Sequence, residues 1–519
     1  VPALRTDDRP TITLTGGPLP ADDLIAVARF GTRVELSPTV LAALEATRAS
    51  IDGFVTSGRP VYGVSTGFGA LATTFIAPDD RTQLQRSLIR SHAAGSGPLV
   101  EDEVVRAMMV CRLATMAKGV TGVRSSTALA YAALLNAGIT PVVHEFGSLG
   151  CSGDLAPLSH VALALMGEGS VRTPTGAVID AATALYDAGL EPVVLAEKEG
   201  LALINGTDGM LGMLVMALAD LGELVALADL TAACSIQALR GTDRVFLPEL
   251  HALRPHAGQA VSAANLLALL ANSPIVTSHA EDTTQVQDAY SLRCAPQVHG
   301  GLRDTMTHAA HVAGVELASA IDNPSVLPDG RLSSNGNFHG APIAYVLDFL
   351  AIPIADVASM AERRTDRLLD PARSHGLPAF LAHQPGVDSG LMIAQYTQAA
   401  IVAELQRNAT PASVQSIPSS AMQEDHVSMG WHAARKLRRS IDGLTRVLAI
   451  ELLTAVRGLE LRAPLAPSRA TEAVLNHFVG LGITAGHDRF MAPEIALAES
   501  FCTGSGWRTL DDPLLAGLR

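Results

Sequence analysis

The residues able to do chemistry in this chain gather in a few short, glycine-rich segments. Gly147-Ser148-Leu149-Gly150-Cys151-Ser152-Gly153-Asp154-Leu155-Ala156-Pro157-Leu158 places a thiol, a hydroxyl and a residue without Cβ in succession between apolar stretches. Taken by itself, this is a tight turn with Asp154 at the N-cap of the following helix. Tyr62 opens Tyr62-Gly63-Val64-Ser65-Thr66-Gly67-Phe68-Gly69. A phenol there either anchors a loop or serves as a base, and the second role needs positive charge or hydrogen bonds to lower a pKa that starts near ~10. His92, in Ser91-His92-Ala93-Ala94-Gly95, reads as a structural histidine or as a partner for a ligand's imidazole or hydroxyl. Asn205 followed by Gly206 is a turn signal. Tyr290 and Arg293 are spaced so that a helix would put both on one face, and a guanidinium fork suits a carboxylate. Phe338, in Asn337-Phe338-His339-Gly340, is an aromatic like any in a core. Glu424, in Gln423-Glu424-Asp425-His426-Val427-Ser428-Met429-Gly430, can accept a charge-assisted hydrogen bond from an imidazole N–H and would be stranded opposite a phenyl ring. Glu424, Asp425 and His426 lack a second cluster for a metal, and His308 and His311 read as structural, so no metal is expected.

Together these segments resemble the ammonia-lyase and aminomutase family that carries methylideneimidazolone (MIO). The resemblance spans residues from Tyr62 to about Gly430 and rests on several separated motifs. It implies that Cys151, Ser152 and Gly153 form the ring themselves, with no dissociable cofactor. The backbone nitrogen of Gly153 attacks the carbonyl of Cys151, a bend that a residue without Cβ permits, and Ser152 loses water to leave an exocyclic methylidene. Most members have Ala at the first position; Cys151 contributes only its carbonyl, which makes its side chain a spectator. Such an electrophile captures an amine and turns it into a better leaving group, where side-chain acid–base catalysis alone leaves a large barrier.

The resemblance also assigns roles. Tyr62 becomes the base for the β-proton, Asn205 and Arg293 hold the substrate carboxylate, Tyr290 approaches the amine or the ring, Gln287 lines the pocket, and Phe338 packs against the prosthetic group. His92 and Glu424 resemble the histidine-acting members, and a buried carboxylate left unpaired by the wrong substrate discriminates strongly. The expected reaction is therefore conversion of L-histidine to trans-urocanate and ammonia. The alternatives are an aminomutase acting on tyrosine or histidine, and a catalytically silent paralogue that binds an amino acid or a subunit partner.

Helices must position these loops. Val105, Met109, Leu113 and Met116 follow Glu101, Asp102 and Glu103, with Lys118 and Gly119 as a stop. Leu437, Ile441, Leu444, Leu448 and Leu452 form a longer stripe after Trp431, and residues 210–240 are apolar around most of the circumference. The expected fold is mainly α. It comprises a loop-rich N-terminal part over residues 1–200 with the Cys151 and Tyr62 loops, a long central helical bundle over 201–460, and a smaller helical part over 461–519. The resemblance adds a homotetramer whose active sites combine motifs from three neighbouring chains.

Composition narrows the partners. The 519 residues carry a net charge of −14, with 48% hydrophobic and 17% charged residues, so a sizeable core is expected. An acidic chain without a basic stripe argues against nucleic acid and anionic membrane surfaces, and leaves small molecules. Five cysteines without metal-type spacing fit a reducing compartment. Residues 1–10 lack the apolar core of a secretory leader, so the cytoplasm is expected. Asp208, Asp220 and Asp348 interrupt the most apolar stretches before the roughly 20 residues of a bilayer span, which makes those stretches core helices.

Overall fold

Apolar periodicity is realised as helix throughout the chain. The computed structural model describes residues 11–56, 62–67, 69–71, 73–281 and 286–519; the segment 1–10 and Phe68 of the Tyr62 loop, both read above, lie outside them. The helix Asp102–Ala117 begins after Glu101 with two acids in its first turn and ends before Gly119, which takes the left-handed conformation at φ 71°. Its expected stripe is buried, but so are Ala107, Met108 and Val110 on its other faces. Alanine, methionine and valine fill those positions, and the helix is enclosed on nearly every side. The helix Gly430–Glu460 buries Leu437, Ile441, Leu444, Leu448 and Leu452 as one continuous stripe. The helix Asp208–Ala238 is apolar all round and almost wholly buried, as its composition requires.

Strands are short. Thr11–Leu14 pairs in parallel with Arg33–Leu36, Ser96–Leu99 pairs antiparallel with His144–Phe146, and Ser170–Arg172 lies between Thr140–Pro141 and Val178–Asp180. A last antiparallel pair joins Ser325–Val326 to Leu332–Ser333. These pairs tie together the loops of a mainly α chain.

The packing divides the chain into two units, each assembled from separated stretches. The first comprises residues 1–216, 310–347 and 411–435, and the second 217–309, 348–410 and 436–519. Four of their five boundaries fall inside long helices, where composition shows no break. In the second unit, Arg364 and Glu451 form a fully buried two-pronged ion pair, Nε to Oε1 at 2.5 Å and Nη2 to Oε2 at 2.9 Å. Ser235 and Thr231 donate to the same carboxylate at 2.7 and 3.2 Å, so its lone pairs are satisfied.

Among the described residues two helical stretches, Glu199–Ala238 and Ala341–Leu369, are long and apolar enough to cross a membrane. Their most apolar windows are 72% and 61% buried inside the protein, the placement of core helices.

Candidate active site

The site of interest lies in the first unit and is built around the turn at residues 147–154. Gly153 adopts φ +79°, and a Cβ there would meet the carbonyl oxygen of Gly206 at 2.0 Å. Only glycine fits that position. The next residue closes the contact, since the Asp154 N–H donates to the Gly206 carbonyl at 2.7 Å. Asp154 stands at the N-cap of the helix Leu155–Leu165, as the sequence suggested, but its side chain makes no cap bond there. Its carboxylate instead accepts the N–H groups of Gly209 and Met210, at the start of the next long helix, and the Ser148 hydroxyl.

The other motifs converge on this turn. The Ser428 hydroxyl donates to the Gly150 carbonyl at 2.7 Å, the Met429 N–H to Leu149 at 2.9 Å, and the Gly340 N–H to Gly150 at 3.2 Å. The Trp431 indole N–H reaches the Glu145 carbonyl at 2.7 Å. Segments almost three hundred residues apart in sequence thus hold one loop, and they are the segments that sequence reading had singled out.

A cavity of about 500 Å³ opens beside the turn. Tyr62, His92, Ser152, Asn205 and Glu424 all line it. Glu424 faces this turn directly, with Oε2 3.0 Å from the Cys151 sulfur and Oε1 3.3 Å from the Ser152 hydroxyl. Ser419 also donates to Oε2, at 3.2 Å.

Ser91 donates its hydroxyl proton to the Leu88 carbonyl, so its oxygen is left to receive the proton of His92 Nδ1 at 3.0 Å. On that assignment His92 Nε2 is the acceptor, open to a ligand N–H or O–H. Burial pushes the imidazole pKa down, against a backbone bond at Leu88 and the charge of Glu424, which favours this neutral form.

Asn205 ends the helix Glu199–Ile204 and donates its amide to the Asn323 carbonyl at 2.8 Å. Its buried Oδ1 has no partner among the described residues. The adjoining Asp322 is fixed by Lys198 at 2.6 Å, in an ion pair fully shielded from solvent, so the wall carrying Asn323 is firmly placed.

Tyr62 accepts the Gly69 N–H at 3.3 Å, a bond that lowers its pKa. Burial and the Glu424 charge outweigh it and push the phenol up, opposite to the direction a base requires. No cationic side chain lines the cavity among the described residues.

The remaining expected residues lie elsewhere. Phe338 is half-buried in the first unit and is not among the cavity-lining residues. Gln287, Tyr290 and Arg293 belong to the second unit. There Tyr290–Arg293 is a single helical turn, and the Arg293 guanidinium sits 4.7 Å from the centre of the Tyr290 ring, so the spacing does bring the pair together. Tyr290 is 71% exposed, and the buried Nε of Arg293 is unpartnered among the described residues.

Sequence reading missed Asn323, Ser419 and Ser420. Asn323 lies in none of the motifs read above, and the two serines carry no signal beyond lying upstream of Glu424.

A family profile described as aromatic amino acid lyase matches residues 19–479. The chain is 63% identical over 492 residues to a histidine ammonia-lyase of Streptomyces avermitilis, covering 95% of this chain and 96% of the relative. Among solved structures it resembles histidine ammonia-lyase from Trypanosoma cruzi, at 40% identity and a TM-score of 0.87 over 95% of this chain and 93% of that one. It also resembles tyrosine aminomutase from Streptomyces globisporus, at 38% identity and a TM-score of 0.89 over 95% and 96%.

Proposed function

The chain belongs to the aromatic amino acid lyase family, and from that premise we propose that it is an ammonia-lyase converting L-histidine to trans-urocanate and ammonia. The observation that carries the choice of substrate is Glu424, a carboxylate set against Ser152 in the same cavity as the imidazole acceptor His92. An imidazole N–H satisfies that carboxylate, while a phenyl ring leaves it desolvated and unpaired.

Cys151, Ser152 and Gly153 fit the MIO ring, because the third position has room only for glycine and the second opens on the cavity. When formed, the ring supplies an electrophile that draws electrons from the bound amino acid and helps its amine depart. Ring closure joins the Gly153 nitrogen to the Cys151 carbonyl carbon, and that carbonyl oxygen and the Ser152 hydroxyl leave as two waters.

The chain's own groups do the rest. Glu424 accepts the imidazole N–H with His92 beside it in the cavity, and Asn205, anchored on the firmly placed Asn323, offers its second amide hydrogen to the carboxylate. Tyr62 takes the β-proton once a positive charge reaches the cavity, for which the substrate ammonium or an arginine from another copy would serve. The exposed Tyr290, the underused Arg293 beside it and Gln287 suit a tetramer in which these residues complete a neighbouring subunit's site, with Arg293 on the substrate carboxylate. Phe338 would pack against the ring. An acidic chain whose five cysteines are all free is suited to the cytoplasm.

The likeness to tyrosine aminomutase supports a second reading, in which ammonia is returned to the β-carbon. Incubation with histidine, tyrosine and phenylalanine separates the two. Urocanate and free ammonia from histidine are expected; a β-amino acid as the main product would overturn the lyase reading. A mature chain whose intact mass lacks the loss of two waters would overturn both.

A further inference from the structure

We infer that the side chain of Cys151 is a positioning group for Glu424 and, through it, for the substrate ring. This rests on the reading of Glu424 as the acceptor of the imidazole N–H. Cys151 and Ser419 both reach Oε2, at 3.0 and 3.2 Å, while among the described residues Oε1 faces only the Ser152 hydroxyl, at 3.3 Å. Burial and the adjacent carboxylate push the thiol up to about 12. It therefore keeps its proton and acts as a donor instead of a nucleophile.

The asymmetry matters for maturation. Ring formation removes the Ser152 hydroxyl as water together with the α-hydrogen of that residue, so Oε1 loses its donor within the chain. The donors on Oε2 are not consumed by that reaction. The step that makes the electrophile thus also frees one oxygen of Glu424 for an incoming N–H, with the other oxygen held. An alanine at position 151, common in the family, lacks this donor and leaves Oε2 to Ser419 alone. Cys151 is then more than a carbonyl donor to the ring.

A thiol measurement tests the contact without turnover. In a Ser152→Ala chain, where the ring cannot form, alkylation of Cys151 by iodoacetamide at alkaline pH is followed by peptide mass spectrometry with and without Glu424→Gln. Loss of the carboxylate should speed alkylation at least about threefold, because the thiolate no longer faces a negative charge. An unchanged or slower rate overturns the proposal.

The mature enzyme supplies the second test. With ring formation verified by intact mass, Cys151→Ala should raise KM for histidine roughly three- to tenfold, the value of one hydrogen bond, with a smaller change in kcat. Cys151→Ser should recover part of that loss, and Cys151→Ala should add nothing in a Glu424→Gln background. An unchanged KM, or an undiminished effect without the carboxylate, overturns the proposal. If the alkylation contrast holds while the wild type releases no urocanate, the functional reading has failed and the contact stands.

Discussion

Asp154 stands at the start of one helix while its carboxylate caps another, with Oδ2 accepting the Gly209 N–H at 2.9 Å. The residue after Gly153 is thereby tied to the N-terminus of the helix Asp208–Ala238, where the backbone dipole favours negative charge. Burial works against this and is the larger effect, pushing the carboxyl from 3.8 up to about 7.

This pair sets a pH dependence. A folded-state pKa above the unfolded value means that the folded chain holds a proton the unfolded chain releases, so stability is full below about pH 4 and declines as pH rises toward 7. The slope from this group reaches at most about 1.4 kcal/mol per pH unit. Asp154→Asn keeps an acceptor for Gly209 and should flatten that part of the profile. Urea unfolding of both chains at pH 5 and pH 7.5 checks it, and identical slopes would remove Asp154 as the cause.

Glu424→Ala should cut histidine turnover by at least about a hundredfold, since it removes a charge-assisted bond and the discrimination against apolar rings. The ring should still form. Steady-state kinetics and intact mass are the measurements, and wild-type rates would take Glu424 out of the selectivity argument.

At position 153, alanine has no room. Its Cβ would press on the backbone of Gly206 at 2.0 Å, in a left-handed conformation that already disfavours a side chain. Gly153→Ala should destabilise the chain by about 2–4 kcal/mol and retain both waters of the tripeptide. Thermal unfolding and intact mass test this; an unshifted transition with a normal ring would show that the turn relaxes freely.

In the second unit, Glu451→Ala should cost about 3–5 kcal/mol, because it strands the Arg364 guanidinium where no solvent reaches it. Equilibrium denaturation measures the loss. A change below about 1 kcal/mol would mean that water enters the site.

Much of the helical framework could be read directly. The stripe from Leu437 to Leu452 and the all-round apolar character of residues 210–240 are local properties, and helical period translates them into burial without knowledge of neighbours. The Asp154 side chain was less accessible to that reasoning. Its N-cap position follows from local pattern, but the helix it caps begins fifty-four residues later, at Asp208. Tyr62 shows a similar limit, since the direction of its pKa shift depends on burial and on Glu424, neither of which its own loop reveals.

By itself, the sequence determined the tripeptide proposed to form the ring, the glycine at its third position, and the helices around it, because consecutive backbone units and local periodicity carry that information. Only the tertiary structure decided which side chains meet there. Glu424 reaches Cys151 across 273 positions of chain, and Ser419 and Asn323 enter the site with no motif of their own. Such contacts are set by how helices pack, a property of the whole core that no local spacing encodes.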